Sequence, residues 1–89
     1  MHHLIKTTLA GLTIENLQSY NLKNDLYLAE EDIMLFHQLL SQEWSQIIDE
    51  EDLSLKEDAL KIYFDSMTIA KYRELLTLLI RNILFNRHS

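Results

Sequence analysis

The sequence predicts an all-α fold: a small compact bundle of four main helices, with a short fifth helix as an N-terminal extension. Three observations carry that expectation. The 89 residues include one glycine and no proline. A β-rich chain needs many tight turns, and turns consume those two residues, so their scarcity favours helices joined by short polar links. Hydrophobic residues make up 47% of the chain, ample for a packed core and too many for a disordered tail. The last long stretch, 68–87, carries a helical seam, with Ile69, Tyr72, Leu76, Leu79 and Ile83 at i, i+3, i+7, i+10 and i+14. Leu75, Ile80 and Leu84 widen that seam to about half the helix circumference. The other helices are expected to pack around this one. A chain of this length forms one helical domain, 1–89, with a single modest core.

The elements follow in order. Met1 to Ala10 forms a short helix with Leu4, Ile5 and Leu9 inward, and Gly11 supplies a left-handed residue just past its end. A repeated signal then marks helix starts. A hydrophobic staple sets an apolar residue just before the N-cap against another five positions on. Such pairs bracket Thr13 (Leu12, Leu17), Ala29 (Leu28, Ile33), Asp49 (Ile48, Leu53) and Thr68 (Met67, Tyr72). Thr and Asp side chains accept hydrogen bonds from the free first-turn amides. Ala29 cannot, and Glu30, Glu31 and Asp32 compensate through the helix dipole.

The second helix therefore runs from Ile14 to about Tyr20, followed by a polar link and an extended Leu26–Leu28 entry. The third runs from Glu30 to about Trp44, with Ile33, Phe36, Leu40 and Trp44 as its core stripe. The fourth runs from Glu50 to about Phe64, with Leu53, Leu60, Phe64 and Met67 on one side; a capping box at Ser54 and Glu57 offers a later start. The last follows Thr68 and ends near Asn86, with Arg81, Arg87 and His88 suited to the negative end of its dipole.

The capping and apolar positions carry a resemblance. Leu12-Thr13-Ile14-Glu15-Asn16-Leu17 with Tyr20, the Leu26-x-Leu28 entry, Leu40, Ile47 before an acidic helix start, Ser66 and Ala70-Lys71 resemble the YqfT-like family of small helical proteins from Gram-positive bacteria. The resemblance spans most of residues 12–85. The chain departs from the family pattern at Ala29, where Thr is suggested, and at Met67, where Pro is suggested. The family carries no assigned activity, so the resemblance implies a helical fold and no catalytic residues.

Charge and composition exclude several function classes. Between Asn24 and Asp58 lie eleven acidic residues and one basic residue, Lys56, and the net charge of the chain is −6. An acidic middle repels phosphate backbones, so nucleic acid is not an expected partner. No cysteine is present, which removes disulfides, thiolate metal sites and cysteine nucleophiles, and fits a reducing compartment. The longest apolar cluster, Leu75 to Phe85, is interrupted by Thr77, Arg81 and Asn82 and is too short to span a bilayer. The N-terminal stretch makes a poor signal peptide. A cytoplasmic address is expected, with no membrane partner.

Four patterns suggest chemistry, and each has a plainer reading that outweighs it. Asp49-Glu50-Glu51-Asp52 lacks the mid-loop glycine of a calcium loop, and consecutive helical residues point different ways, so capping is expected there. His2, His3, His37 and His88 form no i, i+4 pair, and His37 is read as a half-buried residue on the edge of a core stripe. Ser19, Ser41, Ser45, Ser54 and Ser66 all stand in capping or surface contexts, with no phosphate loop or base alongside. A helix-turn-helix would open its recognition helix with Asp49 to Asp52, aimed at phosphates. No enzymatic activity, cofactor, metal or small-molecule substrate is expected.

The expected function is protein–protein interaction, as a small adaptor, regulator or self-associating module. Leu78 and Phe85 lie behind the seam of the last helix, and Leu55 and Ile62 repeat that spacing behind the fourth. These four are the candidate interaction residues. A partner, a second copy or the N-terminal segment with Leu4, Ile5 and Leu9 must cover them. The alternative function is an acidic inhibitor that occupies a basic site on an enzyme or nucleic-acid-binding protein.

Overall fold

The structure, a computed structural model, describes residues 2–88, with side chains described for residues 3–85. It is an all-α bundle built from α1 (His2–Ala10), α2 (Ile14–Lys23), α3 (Glu30–Gln42), α4 (Trp44–Ile47), α5 (Glu57–Leu60) and α6 (Ser66–His88). Four of these are long and two are single turns. The side chains of His2, Arg87 and His88, considered above as metal or dipole partners, lie outside the described residues.

Two of the four staple signals mark true helix starts. Thr13 caps α2: its Oγ1 accepts from the Asn16 amide at 3.1 Å, and the Asn16 Oδ1 accepts from the Thr13 amide at 3.0 Å. That reciprocal pair satisfies two amides that the helix itself cannot. Ala29 caps α3 with no side-chain bond, while Leu28 and Ile33 are both buried on either side of it. Gly11 is not left-handed; its amide donates to the Thr7 and Thr8 carbonyls, closing α1 with a tightened last turn.

The expected helix from Glu50 to Phe64 does not form. Asp49 keeps its capping role but caps a loop. Its Oδ1 accepts from the Glu51 amide at 2.8 Å and the Asp52 amide at 3.1 Å. The Asp49 amide donates to the Ser54 carbonyl, and the Lys56 amide to that of Ile47. An isolated antiparallel bridge joins Ile48 to Leu55. Leu53 takes a left-handed backbone with φ 57°, a strained conformation for its side chain. Ile47, Ile48, Leu55, Leu60 and Phe64 are all buried by this arrangement. An unbroken helix would spread them around its circumference. Lys56, not Ser54, precedes α5, and it makes no side-chain cap.

The last helix begins three residues earlier than expected. Asp65 is its cap, its Oδ1 accepting from the Thr68 amide at 2.7 Å. Phe64 and Ile69 hold the staple positions and are buried, whereas Met67 is 73% exposed.

The hub of the backbone packing is α3, not α6: α1, α2 and α4 all lie closely against α3. Aromatic side chains join α3 to α6. Phe36 and Tyr72 stack with ring centroids 3.9 Å apart, and Phe64 meets Tyr72 at 5.0 Å. Tyr72 is fully buried, and among the described residues its hydroxyl has no hydrogen-bond partner. Desolvation pushes its pKa well above the usual tyrosine range, and the Asp32 carboxylate adds to this. The link between α2 and α3 is clamped by Asn21, whose Oδ1 accepts from the Leu28 amide at 2.9 Å. Leu26 and Leu28 point inward from this link, while Tyr27, at φ 57°, is 81% exposed.

Candidate interaction surface

At 1.5 Å per residue, the 23 residues of α6 span about 34 Å, close to the longest dimension of the molecule, 35 Å. The next longest helix, α3, has 13 residues. One end of α6 therefore runs past the helices available to cover it. That end is mostly apolar, with Thr77, Arg81 and Asn82 as its exposed polar residues. Leu79 faces the core at 3% exposure; Leu78, Ile80, Ile83 and Leu84 are half-buried, and Phe85 is 72% exposed.

Two clefts flank this end of α6, and Arg81 lines both. The first, about 330 Å³, lies between the C-terminal end of α2 and α6, and its lining includes Lys23, Leu78, Arg81 and Phe85. Asn82 donates from Nδ2 to the Tyr20 hydroxyl at 2.7 Å across this junction. The second, about 390 Å³, is lined by Thr77, Ile80, Arg81 and Leu84.

The four candidate residues separate in the structure. Leu78 and Phe85 share this surface. Leu55 is a core residue at 8% exposure, bridged to Ile48, so it is not available to a partner. Ile62 is 80% exposed on the turn after α5, and with the fourth helix gone it no longer repeats the Leu78–Phe85 pattern. The N-terminal helix α1 packs against α6. Ile5 and Leu9 are spent in the core, Leu4 stays partly exposed, and the neighbour of Leu78 and Phe85 is the end of α2. Sequence reasoning missed Arg81 as a member of this face, because an exposed charge on a helix carries no signal of its own.

Four of the eleven acids of the acidic middle, Asp49, Glu50, Glu57 and Asp58, are engaged within the chain. Glu57 forms a two-pronged pair with Arg73, at 2.6 and 3.2 Å, which ties α5 to α6. Lys6 stands 3.6 Å from Glu50 and 5.0 Å from the Trp44 ring centre, and Lys61 pairs with Asp58 at 3.3 Å. Bonds from the Asp52 and Glu51 amides hold the Asp49 carboxyl below its usual pKa, and bonds from Thr68 do the same for Asp65. His37 is half-buried on a shallow groove with Ile14, Met34 and Ser41. Among the described residues, no helix is long and apolar enough to cross a membrane. No protein-family model, curated protein or solved structure matches the chain.

Proposed function

We propose that this protein is a small cytoplasmic interaction module without enzymatic activity, which binds another protein chain across the outer face of α6 from Thr77 to Phe85. The observation that carries this reading is the apolar surface left on that segment once Leu79, Ile80, Ile83 and Leu84 have packed against the core: Phe85, 72% exposed, and the half-buried Leu78. An apolar patch that the fold covers incompletely presents a contact surface, here bordered by Lys23 and Arg81. Of the eleven acids that the acidic-inhibitor alternative would use, Glu50, Glu57 and Asp58 are paired within the chain and Asp49 is committed to its own loop.

The test compares the wild type with Leu78→Glu/Phe85→Glu by sedimentation and by affinity capture, with thermal unfolding as the control for folding. The expected result is an association, with a second copy or a captured chain, that the variant loses while remaining folded. An association retained by the variant would contradict the proposal. So would one abolished by about 0.5 M salt, which would favour the acidic inhibitor, since screening at that strength removes exposed charge contacts.

A further inference from the structure

The exposed face of α6 has a charge order that selects its occupant. Met67, Lys71, Glu74, Leu78, Arg81 and Phe85 follow one another at alternating spacings of four and three residues, which places them on a single stripe. Met67, Glu74, Arg81 and Phe85 are exposed, and Lys71 and Leu78 are half-buried. The stripe is apolar at both ends and in the middle, with charges between. Glu74 and Arg81 stand about one turn to either side of Leu78, on the same side of the helix at roughly 100° per residue. Among the described residues, neither takes part in an ion pair.

We infer that the occupant is a second copy of this chain, with its α6 lying antiparallel across the first and Leu78 at the two-fold axis; this rests on the interaction reading proposed above. A two-fold interface is reciprocal: whatever residue i meets, its counterpart meets residue i. In the antiparallel arrangement, a residue one turn past Leu78 lies opposite the residue one turn before it. Glu74 then faces the partner's Arg81, and Arg81 faces the partner's Glu74. Residues on the same side of two antiparallel helices face one another, so the pairing satisfies both the axial and the angular requirement. Phe85 lies opposite the partner's Ala70–Lys71 turn. The largest exposed apolar residue of the stripe is thereby brought over partner surface, while Leu78 meets its own copy. A parallel pairing would set Glu74 level with Glu74 and Arg81 level with Arg81, and like charges brought together disfavour association. The chain's own sequence therefore supplies a complementary partner for the part of this face that the end of α2 and Tyr27, whose carbonyl accepts from Lys71, leave uncovered.

Two charge reversals test the pairing. Glu74→Arg and Arg81→Glu each place like charges opposite one another in a self-pair, and each weakens the dimer by about tenfold or more. Mixed one to one, the two variants restore both ion pairs in a heterodimer: the new Arg meets the new Glu on one side, and the native Arg81 meets the native Glu74 on the other. Sedimentation should show a wild-type dimer, two variants shifted to monomer at the same concentration, and a mixture returned to dimer. The doubly reversed chain should pair as the wild type does. Both positions are exposed, so thermal unfolding of dilute samples should differ little among the four proteins. A wild-type monomer, a dimer that survives both reversals, or a mixture that stays monomeric would each overturn the inference. A monomer that captures another chain, and loses it on Leu78→Glu/Phe85→Glu, overturns the self-pairing and leaves the interaction face standing. A dimer indifferent to Leu78→Glu/Phe85→Glu overturns both.

Discussion

The two halves of α6 are parts of one helix in different surroundings. From Ser66 to Leu76 the apolar residues Ile69, Tyr72, Leu75 and Leu76 point one way and are buried, with Tyr72 enclosed between Phe36 and Phe64, and Met67 is the exposed exception. The other side carries Ala70, Arg73 and Glu74, which are exposed. From Thr77 to Phe85 apolar residues reach the exposed side as well, where Phe85 joins Thr77, Arg81 and Asn82, and Leu79 alone is buried as completely. The difference shows that apolar content does not distinguish a core from a contact surface. What distinguishes them is whether the fold supplies an element to cover each side. The N-terminal half has α3 and the Phe64 region; beside Leu78 and Phe85 in the C-terminal half stands the end of α2.

The sharpest contrast within the C-terminal half is between neighbours. Leu79→Asp should abolish folding, because a carboxylate buried without a partner costs several kcal/mol, comparable to the whole stability of a small domain. Circular dichroism should show a chain without cooperative unfolding. A protein that melts as the wild type does would misplace the core.

Across the two halves, aromatic truncation should separate enclosed from uncovered residues. Phe36→Ala, which unseats the stacked Tyr72, should cost about 3–5 kcal/mol by chemical denaturation. Phe85→Ala should cost less than about 0.5 kcal/mol in dilute monomer. Equal losses would mean that the two regions do not differ in kind.

Much of this contrast was legible in the sequence. Ile69, Tyr72, Leu76 and Leu79 declare the buried side of α6 by their spacing, and the Thr13–Asn16 cap and the Leu28–Ile33 pair declare two helix starts through local chemistry. The Asp49 region was misread because an Asp that accepts from amides two and three residues on looks the same at the start of a helix and in a tight loop. The bridge between Ile48 and Leu55 decides between them, and that is a tertiary contact. The start of α6 went to Thr68 because two staples overlap there; Asp65 with Phe64 and Ile69 is the one that also buries its apolar pair. Of the candidate site, Leu78 and Phe85 were legible as an i, i+7 pair, whereas Leu55 and Ile62 fell with the helix that was meant to carry them.

Tyr72 refines the picture of the enclosed half. Its hydroxyl is buried without a partner among the described residues, so Tyr72→Phe should stabilise the fold by about 1 kcal/mol. The pH dependence should follow the same group. The fold raises its pKa above the unfolded value of 10.0, so this contribution is fully present below pH 10 and is lost as pH rises further. The slope should approach about 1.4 kcal/mol per pH unit in that range. Urea midpoints between pH 9 and 11 should fall more steeply for the wild type than for Tyr72→Phe; parallel curves would mean that the phenol is accessible to solvent.

An effect of similar size concerns where the enclosed half begins. Asp65→Ala should lower the unfolding midpoint by about 4–8 °C, the loss expected of a helix cap in a domain of this size. Asp65→Asn should recover most of it. Because the Asp65 carboxyl has a lowered pKa, its contribution is present above the unfolded value of 3.8 and disappears as pH falls below that. An equal loss from Met67→Ala, and none from Asp65→Ala, would restore the later start.

The most direct test of the uncovered half is the thermal midpoint measured as a function of protein concentration, for the wild type and for Leu78→Glu/Phe85→Glu. Association linked to folding raises the midpoint with concentration. A wild-type midpoint that climbs over a hundredfold concentration range, beside a variant midpoint that stays flat and meets it at the dilute end, is the predicted result. A variant whose midpoint collapses even when dilute would contradict the account, since Leu78 and Phe85 would then be holding the monomer together.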